Sequence, residues 1–400
     1  MSMLSGKKVL LGVTAGIAAY KTAYIVRLFI KAGAEVRVVM TPEAKEFVTP
    51  LTLSTLSKNE VVSSFTNEEG ETWNNHVDLG LWADFMLIAP ATANTLSKMA
   101  NGHSDNILLA TYLSAKCPVY FAPAMDLDMY KHPSTKASLQ KLEEFQNKMI
   151  PVGSGELASG LSGEGRMAEP EEIVQFITKD LQAQLPLYRK KILITAGPTY
   201  EAIDPVRFIG NHSSGKMGYA IAEEAASLGA EVILVSGPTA LQITHQNIKL
   251  VRVTSTQEMY EQVHQYYPEV NVAIAAAAVS DYKPKQIAHQ KIKKSDAEIS
   301  IELEKTQDIL LSLGKAKKDQ LLVGFALETE NEVENAKGKL ARKNLDFIVL
   351  NSLNDKGAGF QAATNKIKII YPDHIKEFGL KSKQEVAKDI LNEVIYHDEN

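Results

Sequence analysis

The stretch Lys190–Gly229, KKILITAGPTYEAIDPVRFIGNHSSGKMGYAIAEEAASLG, most constrains how this chain can fold. Its apolar run Ile192–Thr195 predicts a buried strand and the Gly-Pro pair a turn; after a long polar excursion a helix is predicted from about Lys216. Gly229 stands where a helix ends in a left-handed residue, and Ala230–Val235 reads as the next strand. Strand, glycine turn and helix aim unpaired backbone N–H groups at one point, a ready anion site. The excursion carries Asp204, Arg207, Asn211, His212, Ser213, Ser214 and Lys216, which suits a phosphorylated or carboxylate substrate. The plain alternative is a long surface loop. Gly210 to Lys216 has the glycine and lysine spacing of a P-loop. Met217 follows, however, in place of the hydroxyl residue that would hold Mg2+, and no strand directly precedes the stretch, so a P-loop is rejected.

A weaker copy of this unit opens the chain. Lys7-Lys8-VLLGV predicts a strand, Thr14-Ala15-Gly16 a turn, Ile17–Lys31 a helix, and Gly33-Ala34-Glu35 leads into the strand Val36–Met40. Further apolar runs, Phe85–Ala89 and Val119–Ala122, then Val272–Ala277, Leu322–Phe325 and Phe347–Leu350, suit parallel strands covered on both faces. The expectation is α/β: two doubly wound, mostly parallel, Rossmann-like or flavodoxin-like domains, 1–186 and 187–400, divided near Pro186 after an amphipathic helix Glu171–Ala183. Gln384–Tyr396 predicts a closing helix and His397–Asn400 a frayed tail.

At 400 residues each half has enough chain for its own core, and a net charge of −5 gives no reason to expect nucleic acid or a membrane surface as partner. The single cysteine, Cys117, rules out an intrachain disulfide framework and thiolate zinc clusters and fits a reducing cytosol. The opening segment reads as strand, turn and helix and not as a signal peptide, because Lys21, Arg27 and Lys31 continue it. A cytoplasmic protein is therefore expected, and no metal ligands are assigned.

A dinucleotide site would want Gly-x-Gly-x-x-Gly and an acid after the second strand. The first half offers Gly12-Val-Thr-Ala-Gly16 and a second strand ending Met40-Thr41-Pro42; the second half's strand ends Val235-Ser236-Gly237. Neither supplies the acid, so a mononucleotide or simple phosphate is favoured over NAD. Ala89-Pro-Ala-Thr-Ala-Asn-Thr95 follows a strand and predicts a helix from about Leu96; Thr92, Asn94 and Thr95 could receive a flat ring, or merely cap the helix. His76, near such a loop, is a candidate for acid–base work at neutral pH.

Taken together these residues resemble the family of bifunctional phosphopantothenoylcysteine decarboxylase/phosphopantothenate–cysteine ligases of bacterial coenzyme A synthesis. The first half is similar to the homo-oligomeric flavin-containing cysteine decarboxylases. The resemblance lies in Gly12–Lys21, His76–Leu79, Ala89–Thr95, Pro123–Tyr130 and Gly160–Met167, then Ile194–Gly218, Ala275–Tyr282, Lys291–Lys294, Gly324–Thr329 and Lys339–Asp346. For the first half it implies FMN at Gly12, Thr14, Ala15, Gly16, Ile17, Thr41, Ala91, Thr92, Ala93, Asn94 and Thr95. The flavin would oxidise the thiol side of the substrate, giving an electron sink for decarboxylation, with His76 as base.

Two positions depart from the family. Asp126 stands where Asn is usual, and a charged Asp there would repel the substrate carboxylate by about 1–4 kcal/mol at ~4 Å. Ser159 replaces a flap cysteine whose thiol titrates near pH ~8.5; a hydroxyl is far too weak an acid to take its place. Either Asp126, protonated with substrate bound, supplies the missing proton, or an impaired or regulatory flavin half accompanies an active ligase. A decarboxylase of peptide C-terminal cysteines is disfavoured by the fused ligase half.

For the second half the resemblance implies ligation of cysteine to 4′-phosphopantothenate through an acyl-cytidylate. CTP is the usual nucleotide, and Mg2+ joins Lys291, Lys339 and Lys343 around the triphosphate. Asn211 would steady the acyl-phosphate carbonyl, and the nucleotide would sit against Ala275, Ala276, Ala277, Asp281, Gln307, Asp308, Ile309, Leu310 and Phe325. By composition alone Lys291–Lys294 is also ordinary solvated surface, and Gly357–Phe360 is either a lid or a plain turn. A homo-oligomer is expected by analogy: trimers of the flavin half, dimers of the ligase half, possibly a dodecamer.

Overall fold

A computed structural model describes residues 3–67, 72–156, 159–293, 300–328, 330–352 and 363–399. The chain divides into two compact units, Met1–Gln182 and Ala183–Asn400.

In the N-terminal unit the strands β1 (Lys8–Val13), β2 (Glu35–Met40), β3 (Val61–Val62), β4 (Phe85–Ala91), β5 (Val119–Pro123) and β6 (Lys148–Met149) form one parallel sheet in the order β3-β2-β1-β4-β5-β6. Alternate residues of β1 enter opposite cores. Val9, Leu11 and Val13 join the layer under the helices Thr22–Lys31 and Pro170–Ala183, while Leu10 faces the helices Ala93–Ala100 and Ile107–Ser114. Burial on both faces is why these strands read as unbroken apolar runs. A glycine-rich hairpin, β7 (Gly153–Glu156) with β8 (Ser162–Arg166), follows the sheet.

The C-terminal unit runs β9 (Lys191–Ala196), a small ribbon β10 (Tyr200–Ala202) with β11 (Phe208–Gly210), then β12 (Glu231–Ser236), β13 (Ile248–Arg252) and β14 (Val272–Ala275). A second ribbon pairs β15 (Tyr282–Pro284) with β16 (Leu303–Lys305). There follow β17 (Leu321–Glu328), β18 (Phe347–Ser352), β19 (Thr364–Asn365), β20 (Ile367–Ile370) and β21 (Ile375–Glu377). Its main sheet has eight strands in the order β13-β12-β9-β14-β17-β18-β20-β21, the last two pairings antiparallel.

Both sheets are doubly wound α/β. In each, the chain builds outward from the first strand on one side and then returns to the other, leaving a switch point between β1 and β4 and between β9 and β14. Ligands of open α/β sheets bind at such a crevice. The helix Lys216–Ser227 lies close over β9 because Gly218 has no side chain: a Cβ there would stand 2.6 Å from the Ala196 Cβ.

Three details differ from the sequence reading. The polar excursion after β9 is partly built into the ribbon β10–β11, because Tyr200 and Phe208 stack across it at 3.9 Å. The helix expected from Leu96 starts at Ala93, directly at the end of β4. The expected frayed tail is instead helical, Lys383–Glu399, with His397 stacked on Tyr371 at 5.4 Å and on Phe347 at 5.9 Å. The lid or turn at Gly357–Phe360 lies outside the described residues.

Candidate active site

At the first switch point a cavity of about 880 Å3 opens. Its walls include Ala15, Gly16, Ile17, Thr41, Thr92, Ala93, Asn94, Thr95 and Asp126, so most of the flavin residues expected from sequence converge here with Asp126. Gly12, Thr14 and Ala91 stand behind that wall and shape it. A Cβ on Gly12 would press on Leu108 at 3.2 Å. The Thr14 hydroxyl donates to the Pro90 carbonyl at 2.7 Å and accepts the Thr92 N–H at 3.3 Å, stitching the turn after β1 to the turn after β4. Ala91 is fully buried.

The donors fit a phosphorylated flavin. The helical run beginning at Ile17 and the helix beginning at Ala93 both start on this wall, and neither Gly16 nor Thr92 caps its helix with a side chain. Helix starts left open in this way present N–H groups and a positive dipole end to an anion. Thr41 Oγ1 is buried yet lacks a hydrogen-bond partner, a costly arrangement that a ligand oxygen would relieve. Small side chains at Ala15 and Ala93 and the flexible Met125, Met129 and Met167 leave room for a flat ring.

Asp126 precedes the helix Leu127–Lys131 but does not cap it, which leaves its carboxyl available to the cavity. Ser159 is exposed, its hydroxyl accepting the Leu161 N–H at 3.4 Å, and is not among the wall residues. Nor is His76, which begins the helix His76–Trp82 with Phe65 and Trp73 edge-on to its ring and Nδ1 buried without a partner.

The sequence reading placed Gly160–Met167 among the family-like stretches but gave Arg166, Glu169 and Lys21 no role. Arg166 lines the cavity and pairs with Glu169 at 2.9 Å, and Glu169 also accepts the buried Lys21 ammonium at 2.9 Å. The Lys21 hydrogen bond, against burial and with help from Arg166, holds the Glu169 carboxyl below its usual range. The glycines at 153, 155, 160, 163 and 165 were the available signal. Gly165 admits no Cβ, which would sit 2.6 Å from the Met125 carbonyl, so the hairpin lies directly against the segment carrying Asp126.

At the second switch point Ala275, Ala276 and Ala277 continue from β14 and are tied to β9. The Thr195 hydroxyl accepts the Ala277 N–H at 3.1 Å, and Asn211 donates its amide to the Ala278 carbonyl at 2.9 Å. The Asp281 backbone carbonyl accepts the Thr306 N–H at 2.9 Å, which brings this residue near the segment of Gln307 and Asp308. Asp308 caps the helix containing Ile309 and Leu310 through the Leu311 N–H. Phe325 is half-buried in β17.

The expected cations are engaged: Lys343 with Asp308 at 2.9 Å and Lys339 with Glu328 at 2.7 Å. Burial pushes the Asp308 carboxyl up, but the Leu311 N–H and Lys343 outweigh it and the net shift is downward. Lys291 lies on a segment strapped down by Asp204, whose carboxylate accepts the Ile292 N–H at 3.1 Å and the Arg207 guanidinium. That guanidinium foremost, then the backbone N–H groups of Val206, Ile292 and Arg207, hold the Asp204 carboxyl well below the usual carboxylate range. Among the described residues no group of three His, Cys, Asp or Glu is placed to hold a metal, and no helix is long and apolar enough to cross a membrane.

Comparison with known proteins agrees with two functional halves. Residues 1–182 match the flavoprotein family, and residues 187–397 match the DNA/pantothenate metabolism flavoprotein C-terminal domain. A "Cysteine/Cysteine sulfinic acid decarboxylase" of unknown prokaryotic origin is 54% identical over 87% of this chain and 99% of its own length. The "Coenzyme A biosynthesis bifunctional protein CoaBC" of Bacillus subtilis strain 168 is 45% identical over 98% of this chain and 97% of its own length. A crystal structure of the C-terminal domain of a CoaBC protein is 48% identical, covering 54% of this chain and 99% of that one, with a TM-score of 0.47. The chain belongs to the CoaBC family of bifunctional coenzyme A biosynthesis enzymes, joining a flavoprotein decarboxylase to a ligase.

Proposed function

We propose that residues 1–186 are an FMN-dependent phosphopantothenoylcysteine decarboxylase and residues 187–400 a CTP- and Mg2+-dependent phosphopantothenate–cysteine ligase, acting in the cytosol, where a thiol substrate stays reduced. The observation that carries the first half is the cavity at the β1/β4 switch point, with two uncapped helix starts and the unpartnered Thr41 hydroxyl on its wall. Bound flavin supplies a two-electron acceptor for the thiol side of the substrate. Thr41 and the N–H groups around Ile17 would hold its phosphate, and Asn94 and Thr95 would face its ring. Asp126 meets the substrate carboxylate and returns the proton that Ser159 is too weak an acid to give.

His76 is the base in this scheme. It lies off its own chain's cavity and beside exposed Trp73, Val77 and Leu81, which supports its serving a neighbouring copy in a trimer of flavin units. Ligase dimers are supported by exposed Val206, Phe208, Tyr282 and Leu303 on and between the ribbon strands, and a dodecamer combines both contacts.

In the ligase the carboxylate of 4′-phosphopantothenate attacks CTP, pyrophosphate leaves, and the cysteine amine displaces CMP. Lys339 and Lys343 exchange their carboxylate partners for phosphate oxygens, joined by Lys291 and Mg2+, while Asn211 steadies the acyl carbonyl. A second reading gives the flavin unit free cysteine or cysteine sulfinic acid, the substrates that the 54%-identical relative is named for. Incubating the protein with phosphopantothenate, cysteine, CTP and Mg2+ should release pyrophosphate and CO2 together. Pyrophosphate without CO2 would mean a working ligase beside an impaired or regulatory flavin unit. CO2 from cysteine alone would favour the second reading.

A further inference from the structure

The cations on the cavity wall differ in what they have left to give. Lys21 is 4% exposed and spends its ammonium on the Met167 carbonyl at 3.2 Å and on Glu169 at 2.9 Å. Lys98 is held by Asp105 at 2.5 Å. Arg166, at the end of β8, spends only Nη2, on Glu169 Oε1. Among the described residues its Nε and Nη1 make no hydrogen bond, and Nη1 lies over Gly155, where even a Cβ would be 3.5 Å away. Glu169 is itself fixed. Its N–H is bound by Glu172 at 2.9 Å, its carbonyl accepts the Ile173 N–H as the helix Pro170–Ala183 begins, and one carboxylate oxygen takes both Lys21 and Arg166.

We propose that Arg166 is the phosphate anchor of the decarboxylation site, aimed by Glu169 and steadied through it by Lys21. This rests on the reading of the cavity given above. The substrate of that reading carries two anions, a carboxylate that departs as CO2 and a phosphate that does not react. A guanidinium fork on the departing carboxylate would stabilise the ground state and lose its partner as neutral CO2 forms, which raises the barrier. On the phosphate the same fork is gripped equally before and during the reaction, and lowers KM without a cost in kcat. Glu43, Asp105, Asp126 and Glu156 also line the cavity, so a dianion entering there needs such a counter-charge.

The test is decarboxylation by the full-length, flavin-loaded protein, with phosphopantothenoylcysteine supplied directly and no nucleotide, compared with its dephosphorylated form. Arg166→Gln should raise KM for the phosphorylated substrate roughly tenfold to a hundredfold, change kcat less than about threefold, and leave KM for the dephosphorylated form near wild type. Arg166→Lys should recover part of the loss, and Glu169→Gln should fall between Arg166→Gln and wild type. Equal losses on both substrates, a loss confined to kcat, or release of flavin from Arg166→Gln would overturn the anchor. Wild-type protein that frees CO2 from neither substrate would instead remove the reading of the cavity beneath it.

Discussion

In the N-terminal unit the side chains at the switch point leave donors unspent: Thr41 Oγ1 is unpartnered, and the helix starts after Gly16 and Thr92 are uncapped. At the corresponding place in the C-terminal unit the helix start after Gly215 is likewise uncapped, but the candidate side chains are already committed, Lys339 to Glu328, Lys343 to Asp308 and Asn211 to the Ala278 carbonyl. The contrast matches two kinds of ligand. A resident cofactor justifies keeping a pre-shaped site with unmet hydrogen bonds. Under the ligase chemistry proposed above, a nucleotide that comes and goes would meet Lys339 and Lys343 held in place by exchangeable carboxylate partners.

The sharpest way to break this comparison is to damage one switch point and watch the other. A Cβ on Gly237 would stand 1.7 Å from the Pro198 carbonyl oxygen, where the turns after β12 and β9 cross. Gly237→Ala should therefore destabilise the C-terminal unit by more than about 3 kcal/mol, seen as one melting transition lost or lowered while bound flavin keeps its absorbance. Loss of flavin together with ligation would mean that the units do not fold separately.

Asp204→Asn removes the strap on the Lys291 segment, and ligation should fall on the order of a hundredfold with decarboxylation unchanged. The pH dependence follows from the same carboxyl. Held below its ordinary 3.8, it contributes fully above about pH 4, and its contribution is lost as pH falls from there toward its folded pKa. The C-terminal unit should thus lose stability on acidification in wild type and show a weaker acid dependence in Asp204→Asn, read by unit-resolved hydrogen exchange.

Thr41→Val is the matching cut in the first unit. Flavin affinity should drop roughly tenfold or more, measured by fluorescence on dissociation, with ligation untouched; unchanged affinity would show that the orphaned hydroxyl does not meet the cofactor. The smallest effect is expected for Tyr371→Phe, which forfeits the 2.5 Å bond to Glu393 but leaves Lys376 on that carboxylate. About 1 kcal/mol of the C-terminal unit's stability should be lost, as a shift in denaturation midpoint. Burial, then the charge of Glu393, pushes the Tyr371 hydroxyl far above its ordinary range, so this contribution should persist through mildly alkaline pH.

Much of this was legible because it rests on local pattern. Fully buried strands leave unbroken apolar runs such as Phe85–Ala89, and Gly229 marks a helix end with a φ of 98°. The turns at Gly16 and Thr92 face one crevice because strand order forces it, and strand order followed from the repeated opening. What escaped depends on partners far apart in sequence. Nothing around Lys21 announces Glu169, nor does Asp204 announce Ile292, since such pairs exist only after the sheet has closed. The C-terminal tail misled because its residues look like solvent-facing ones, and the rings of Tyr371 and Phe347, distant in sequence, give His397 a surface to rest on.

Among the described residues no strand is shared between the two main sheets. An inhibitor that blocks only the N-terminal crevice stops the second step alone, and the acidic thiol product of the first would pile up undrained. One that blocks the C-terminal crevice would starve both steps at once. The order of the chemistry, more than the depth of either hollow, decides which half is the better place to intervene.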